Sequence, residues 1–271
     1  MSSLNKAFKH IPLLQNYHPA DFKIRRLPGL TNHTYHLKNY DKDWVLRIPK
    51  MDTNAYIDRK AEITNNEIAV QLGLAPNCLW RDDSGLSLTT TLPHTKSPVA
   101  EDLHNPDILK AVLAKLEILH NSQQKFHGRV NIRELLERYF SLVPAAYKSS
   151  ILKDINEALQ RLTSIEQKDS TLTPSHNDLI LQNLLIEANR QIWFIDWEYS
   201  SMASPYWDLA TLCNAADFNH DQSVNLLNLY QSQHDISDIG LLMDYRQVLQ
   251  VLTRCWMLSF NNPTQRETAL I

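Results

Sequence analysis

Ser175-His176-Asn177-Asp178-Leu179-Ile180-Leu181-Gln182-Asn183 is the stretch whose reading decides the fold. Directly behind it lie two apolar runs, Leu184-Leu185-Ile186 and Ile192-Trp193-Phe194-Ile195, separated by the polar segment Glu187 to Gln191. Two short apolar runs flanking a polar turn are a hairpin signal. Asp196 closes the second run. A loop and a strand end therefore hold Asp178, Asn183 and Asp196 together, inside a region that otherwise reads as helical.

Upstream, the pattern changes period. From Phe22 to Ile48 it reads as short strands in an antiparallel meander, with Tyr35-His36-Leu37 and Trp44-Val45-Leu46 on either side of the turn-like Asn39-Tyr40-Asp41-Lys42. Ile57 to Leu72 switches to helical spacing through Ala61, Ile68 and Leu72, and Gly73 is placed to end that helix. Cys78-Leu79-Trp80 and Leu86-Ser87-Leu88 read as two more strands. Residues 1–92 are thus expected to form a small β-rich lobe with one helix.

Leu92 to Asn105 carries Pro93 and Pro98 among polar residues, so 93–105 is expected to be a connector and 106–271 a second, mostly helical lobe. Asn105-Pro106-Asp107 offers a cap, a proline at the first helical position and an early acid. Val112, Leu113, Leu116 and Leu119 then make one apolar stripe. Ile151, Ile155, Leu159, Leu162 and Ile165 repeat it, as do Val248, Val251, Leu252 and Cys255 near the end. The fold class is α+β.

Composition narrows the function. With 27 Lys and Arg against 30 Asp and Glu, the formal charge of -3 gives no broad basic field, so nucleic acid is not an expected partner. Cys78, Cys213 and Cys255 are far apart and form no CxxC pair, which argues against a disulfide framework or a zinc site. The opening Met1-Ser2-Ser3-Leu4-Asn5-Lys6 is too polar for a signal peptide, and no run of about 18 apolar residues occurs. A cytoplasmic protein without membrane insertion is expected, acting on a small molecule. Its oligomeric state stays open.

The polar loop has the spacing of the kinase catalytic loop, in which an Asp meets an acceptor hydroxyl and an Asn five residues later binds magnesium. A carboxylate near an alcohol orients it and accepts its proton, while a neutral amide oxygen ligates the metal without adding charge. Asp178 is the expected base and Asn183 a metal ligand. Asp196 is the expected second ligand, holding the Mg2+ that bridges the phosphates of ATP. His176 has no chemical task in this scheme and is expected to pin the loop.

Nearly the whole chain resembles the choline/ethanolamine kinase branch of the aminoglycoside phosphotransferase-like family, in particular the bacterial LicA-type choline kinases. The resemblance is carried by Gly29-Leu30-Thr31-Asn32, Val45-Leu46-Arg47-Ile48-Pro49, His176 to Asn183, Ile195-Asp196-Trp197-Glu198-Tyr199, and Pro205-Tyr206-Trp207-Asp208-Leu209-Ala210. It implies a two-lobed protein-kinase-like fold and transfer of the γ-phosphate of ATP to a small alcohol. By resemblance, Arg47 replaces the strand lysine that grips phosphates, with Glu62 or Glu67 as its helical partner and Glu62 at the better spacing. Thr31 and Asn32 would lie over the phosphates, although this turn has one glycine instead of G-x-G-x-x-G. Asp208 resembles the kinase Asp that braces the catalytic loop from below.

The same resemblance assigns Glu198 and Tyr199 to the substrate, and Trp256 to a cage for a cationic group, where aromatic faces and acids suit a quaternary ammonium. Trp256 would equally suit packing between helices. The implied acceptor is a cationic amino alcohol, choline or ethanolamine. Ile180 stands where eukaryotic choline kinases have a Gln, so thiamine kinases, which share the Asp-Trp-Glu-Tyr run, are the alternative. An aminoglycoside kinase is a more distant one, for want of a dense acidic cluster. A pseudokinase scaffold would need a broken constellation.

Overall fold

The computed structural model describes residues 3–27, 32–50, 57–231 and 233–259. Its first part is a five-stranded antiparallel sheet in the order β1-β2-β3-β5-β4, built from β1 (Lys23–Leu27), β2 (Asn32–Lys38), β3 (Asp43–Pro49), β4 (Cys78–Arg81) and β5 (Ser87–Thr90). The expected meander is present. In β3, Arg47 stands opposite Thr34 of β2 and Ser87 of β5, which puts it on a central strand. A helix not foreseen in the sequence, α1 (Ser3–His10), packs Ala7 and Phe8 with Ile11, Leu14, Phe22, Leu37, Leu46 and Leu88 into a core of its own.

Helix α2 (Arg59–Gln71) starts where the Asp58 carboxylate accepts from the Ala61 amide at 3.1 Å. It ends as the sequence indicates. Gly73, at φ +68°, lets its own N–H reach Val70 O and that of Leu74 reach Ala69 O, the double bond of a Schellman motif. The carbonyl of Gly73 in turn accepts from Lys115 Nζ at 3.0 Å, which ties the end of α2 to the helical part.

Residues 93–105 carry more order than a plain connector. Thr95–Lys96 forms β6, and α3 spans Ala100–Leu103. β6 pairs with β8 (Leu184–Glu187), which pairs with β9 (Ile192–Phe194), so the expected hairpin is there with a third strand added. A separate pair joins β7 (Thr173–Ser175) to β10 (Ser201–Ala203) and brings both ends of the 175–201 region together.

Around these lie α4 (Pro106–His120), α5 (Ile132–Leu142), α6 (Ala145–Lys168), α7 (Pro205–Ala215), α8 (His220–Leu229) and α9 (Ile239–Ser259). Asn105 caps α4 through the Asp107 amide. Val112, Leu113, Leu116 and Leu119 are all buried, each contributing about 1.5–3 kcal/mol on removal from water. The late helix is longer than its apolar stripe indicates, because its first turns bury Leu241, Leu242, Tyr245 and the polar Arg246 against the same core. Among the described residues no helix is long and apolar enough to cross a membrane.

Candidate active site

The site forms where β3, α2, the 176–183 loop and the end of β9 meet. Asp208, fully buried in the first turn of α7, is its foundation. Its Oδ2 accepts from the His176 amide at 2.8 Å and its Oδ1 from the Asn177 amide at 2.7 Å. His120, at the end of α4, adds a contact of 3.0 Å to Oδ2, while its other ring nitrogen meets the Tyr230 hydroxyl at 2.6 Å. Burial opposes ionisation of Asp208, but these bonds to His120 and the loop outweigh it and lower its pKa.

His176 is equally buried. Its Nε2 donates to Ile195 O at 3.0 Å, and its Nδ1 accepts from the Asp178 amide at 3.3 Å. The ring lies 4.6 Å from the Trp197 ring, and burial lowers its pKa and keeps it neutral. One imidazole thus joins the loop to the strand end that carries Asp196. Asn177 makes a second junction, donating to Tyr199 O at 2.9 Å and Ser201 Oγ at 2.8 Å. Asn177 and Asp196 both adopt left-handed backbone, at φ +63° and +65°. Asn and Asp are among the non-glycine residues that take that conformation most readily, so both turns are made without glycine.

Asn183 sits at the end of a short 3-10 turn, Leu181–Asn183. Its Nδ2 donates both to Asp178 O and to Asp178 Oδ2, each at 2.8 Å. Burial, followed by the charges of Asp196 and Glu198, pushes the Asp178 carboxyl well above the usual carboxylate range.

Arg47 reaches this cluster from the sheet. Its Nη1 lies 2.7 Å from Glu62 Oε1 and 3.3 Å from Asp196 Oδ1, and its Nη2 lies 3.6 Å from Glu198 Oε2. Glu67 is exposed, so of the two candidate partners the structure pairs Arg47 with Glu62. Burial raises the pKa of Glu62 but Arg47 and Arg59 outweigh it, leaving that carboxyl below its ordinary value. Burial and the nearby Asp196 push Glu198 up to about 8. Arg47 Nε and Nη2 and Glu198 Oε2 are buried without a hydrogen-bond partner.

Tyr199 is half-buried, and its hydroxyl stands 3.4 Å from that of Tyr139 on α5. Burial raises the pKa of both phenols. Trp256 is half-buried on α9, which packs along α5. Asn32 is buried at the start of β2, opposite Pro49. Thr31 and the turn before it lie outside the described residues.

Sequence reasoning missed four residues that shape the site or fasten the elements around it. Arg59 had a usable signal, its i,i+3 spacing from Glu62. Tyr139 and His120 had none, since each meets the site only through the packing of a helix far away in sequence. Asn65 also escaped notice. Its side chain bonds His127 N and O and Ser200 O, fastening α2 to the helical part.

The architecture matches known structures closely. The choline kinase LicA of Streptococcus pneumoniae superposes with a TM-score of 0.83 at 21% identity, over 96% of this chain and 92% of that one. A choline/ethanolamine kinase family protein from Mesorhizobium loti gives 0.75 at 24% identity, over 98% and 90%. These superpositions show a protein-kinase-like fold, a small antiparallel sheet lobe followed by a mostly helical one.

In sequence, residues 25–236 match the model of the choline/ethanolamine kinase family. Protein LicA of Haemophilus influenzae is 31% identical over 220 residues, spanning 80% of this chain and 65% of that relative's length. The chain belongs to the choline/ethanolamine kinase family. A kinase family implies ATP as phosphoryl donor.

Proposed function

We propose that the protein transfers the γ-phosphoryl group of ATP to the hydroxyl of choline or ethanolamine. The observation that carries this reading is the Asp178–Asn183 pair, set within electrostatic reach of Asp196 and Glu198. Asp178 accepts the hydroxyl proton as the bond to phosphorus forms. Burial, followed by the charges of Asp196 and Glu198, raises its affinity for a proton, which favours that acceptance.

Arg47 orients the nucleotide. Its Nη1 is committed to Glu62 and Asp196, so the edge formed by Nε and Nη2 is left with two buried donors that a phosphate satisfies bidentately. Thr31 and Asn32 would complete the phosphate contacts. Residues 1–92 then serve as the nucleotide-binding lobe, 93–105 as the connector and 106–271 as the catalytic and acceptor-binding lobe.

The residues present fit magnesium. Asn183 Nδ2 is committed to Asp178, which leaves its amide oxygen as a donor, and the Asp196 side chain is 27% exposed. Among the described residues no group of three or more His, Cys, Asp or Glu gathers to hold a metal. One carboxylate and one amide suit an ion that completes its shell with phosphate oxygens and water. When bound, the ion neutralises charge on the phosphates.

Glu198, Tyr199 and Trp256 receive the cationic end of the acceptor. Glu198 Oε2 is a buried carboxylate oxygen without a hydrogen bond, and a quaternary ammonium can offer it charge without needing to donate one. Tyr139 joins Tyr199 on the aromatic side. His176 and Asp208 hold the loop and touch no reactant. Three free cysteines suit the reducing cytoplasm as the place of action.

The test is ADP release from Mg-ATP with choline, ethanolamine, thiamine and kanamycin side by side. Release with choline or ethanolamine is expected. Turnover with thiamine or kanamycin alone would overturn the acceptor assignment.

A further inference from the structure

Arg59 opens α2 and is 8% exposed. Its Nη1 lies 2.5 Å from Glu62 Oε2 and 3.8 Å from Glu198 Oε2. Glu62 is therefore divided between two guanidinium groups, Oε1 going to Arg47 at 2.7 Å and Oε2 to Arg59. Arg59 also lies against Gly85 in the β4–β5 turn, where an added Cβ would come within 2.9 Å of its Cζ and Nε. Glycine there, at φ +86°, both makes the turn and leaves room for the guanidinium.

One nitrogen of this buried guanidinium, Nη1, thus faces two carboxylates at once, bonding Glu62 and standing within ion-pair range of Glu198. Arg47 is the other cation near Glu198, at 3.6 Å, yet its unbonded edge is the one assigned above to phosphate. A nucleotide that engages Arg47 weakens that arginine's hold on Glu198. Arg59 stays, because Glu62 and the Gly85 turn seat it independently of the phosphates. A carboxylate flanked by Asp196 and Glu62 needs a positive neighbour to remain in one position.

We infer that Arg59 is a positioning residue for the acceptor, fixing the Glu198 carboxylate at the cation site while Arg47 serves the nucleotide. The inference rests on the acceptor reading of Glu198 given above. It assigns the two guanidinium groups to different substrates, although one glutamate binds both.

Calorimetry on the full chain tests it, with choline and, separately, ADP titrated into wild type, Arg59→Gln, Arg59→Lys, Glu198→Gln and the Arg59→Gln/Glu198→Gln double variant. Arg59→Gln should weaken choline about tenfold while ADP changes by less than about twofold. In the Glu198→Gln background the same change should cost less than about twofold, since residues that act through one another are not additive. Arg59→Lys should lie between, at about threefold weaker. Unchanged choline affinity in Arg59→Gln, or an equal loss in both backgrounds, overturns the inference. If Arg59→Gln shows no cooperative thermal transition, Arg59→Lys decides, and wild-type choline affinity in that variant overturns it. Wild-type protein that binds neither choline nor ethanolamine removes the acceptor reading itself, before any variant is compared.

Discussion

Asn183 Nδ2 stands 2.8 Å from both the main-chain oxygen and a carboxylate oxygen of Asp178, so a single amide fixes the expected base at both ends. The five-residue spacing between them is what makes this closure possible, with the 3-10 turn bringing the amide back over the loop. Asp178→Ala should therefore lower turnover by about 10²- to 10⁴-fold while leaving nucleotide affinity near wild type. Steady-state kinetics and ADP titration check the two halves. Full activity in Asp178→Ala would remove it from the chemistry.

Asp196 should behave differently. Its carboxylate meets Arg47 and is the anionic oxygen available to magnesium in the expected donor set. Asp196→Ala should abolish the gain in nucleotide affinity that Mg2+ confers and leave metal-free nucleotide binding little changed. Titration of ATP with and without Mg2+ reads this directly, and an undiminished Mg2+ effect would contradict it.

Glu62 fixes Arg47 from behind, at 2.7 Å, in a site where both are largely withdrawn from water. Glu62→Gln keeps the shape and removes the charge. It should raise the KM for ATP about tenfold or more, because a guanidinium without its carboxylate is no longer held toward the phosphates. The KM for the acceptor should move less. An unchanged KM for ATP would show that Asp196 and Glu198 suffice to orient Arg47.

Asp208 carries the loop through two amides and His120, with no exposure to solvent. Breaking such a buried cluster costs about 3–5 kcal/mol, so Asp208→Ala should show a markedly lower Tm as well as lower activity. The pH dependence has a definite sign. Because the folded protein lowers the pKa of Asp208, its contribution is fully present above the ordinary carboxylate value and is lost as pH falls through the depressed one. Urea denaturation followed downward from about pH 4 should give a steeper loss of stability for wild type than for Asp208→Asn. Equal slopes would mean that another carboxylate governs the acid limb.

How much of this was legible in the sequence depended on whether a feature was local. The catalytic-loop spacing, the hairpin, the Gly73 helix end and the Asn105 cap each involve residues only a few positions apart and follow from backbone geometry. The preference for Glu62 over Glu67 came instead from the family resemblance and from spacing to Arg47 and to Leu74-Ala75-Pro76, and Glu62 is buried against Arg47 where Glu67 is exposed. The β6 strand inside 93–105 was hidden because two residues that pair with a distant strand leave no periodic pattern. Helix α1 was hidden because its apolar face is short, and its packing partners lie on a sheet formed later in the chain. The contributions of Tyr139 and His120 exist only after α5 and α4 dock, and no local signal announces them.

Glu198→Gln probes the cation site with its shape preserved. The substitution should raise the KM for choline about tenfold and leave the KM for ATP within about twofold, since an arriving ammonium draws Glu198, pushed up to about 8 by burial and Asp196, into its charged form, and glutamine has no charge to give. Equal changes in both constants would place Glu198 with the nucleotide instead.

The central claim is transfer to an alcohol, and ³¹P NMR of the wild-type protein with ATP, Mg2+ and choline or ethanolamine tests it most directly. A phosphomonoester resonance should grow as the γ-phosphate signal falls, and should be missing with Asp178→Ala. Inorganic phosphate as the sole new product, or no loss of ATP with either acceptor, would contradict the account.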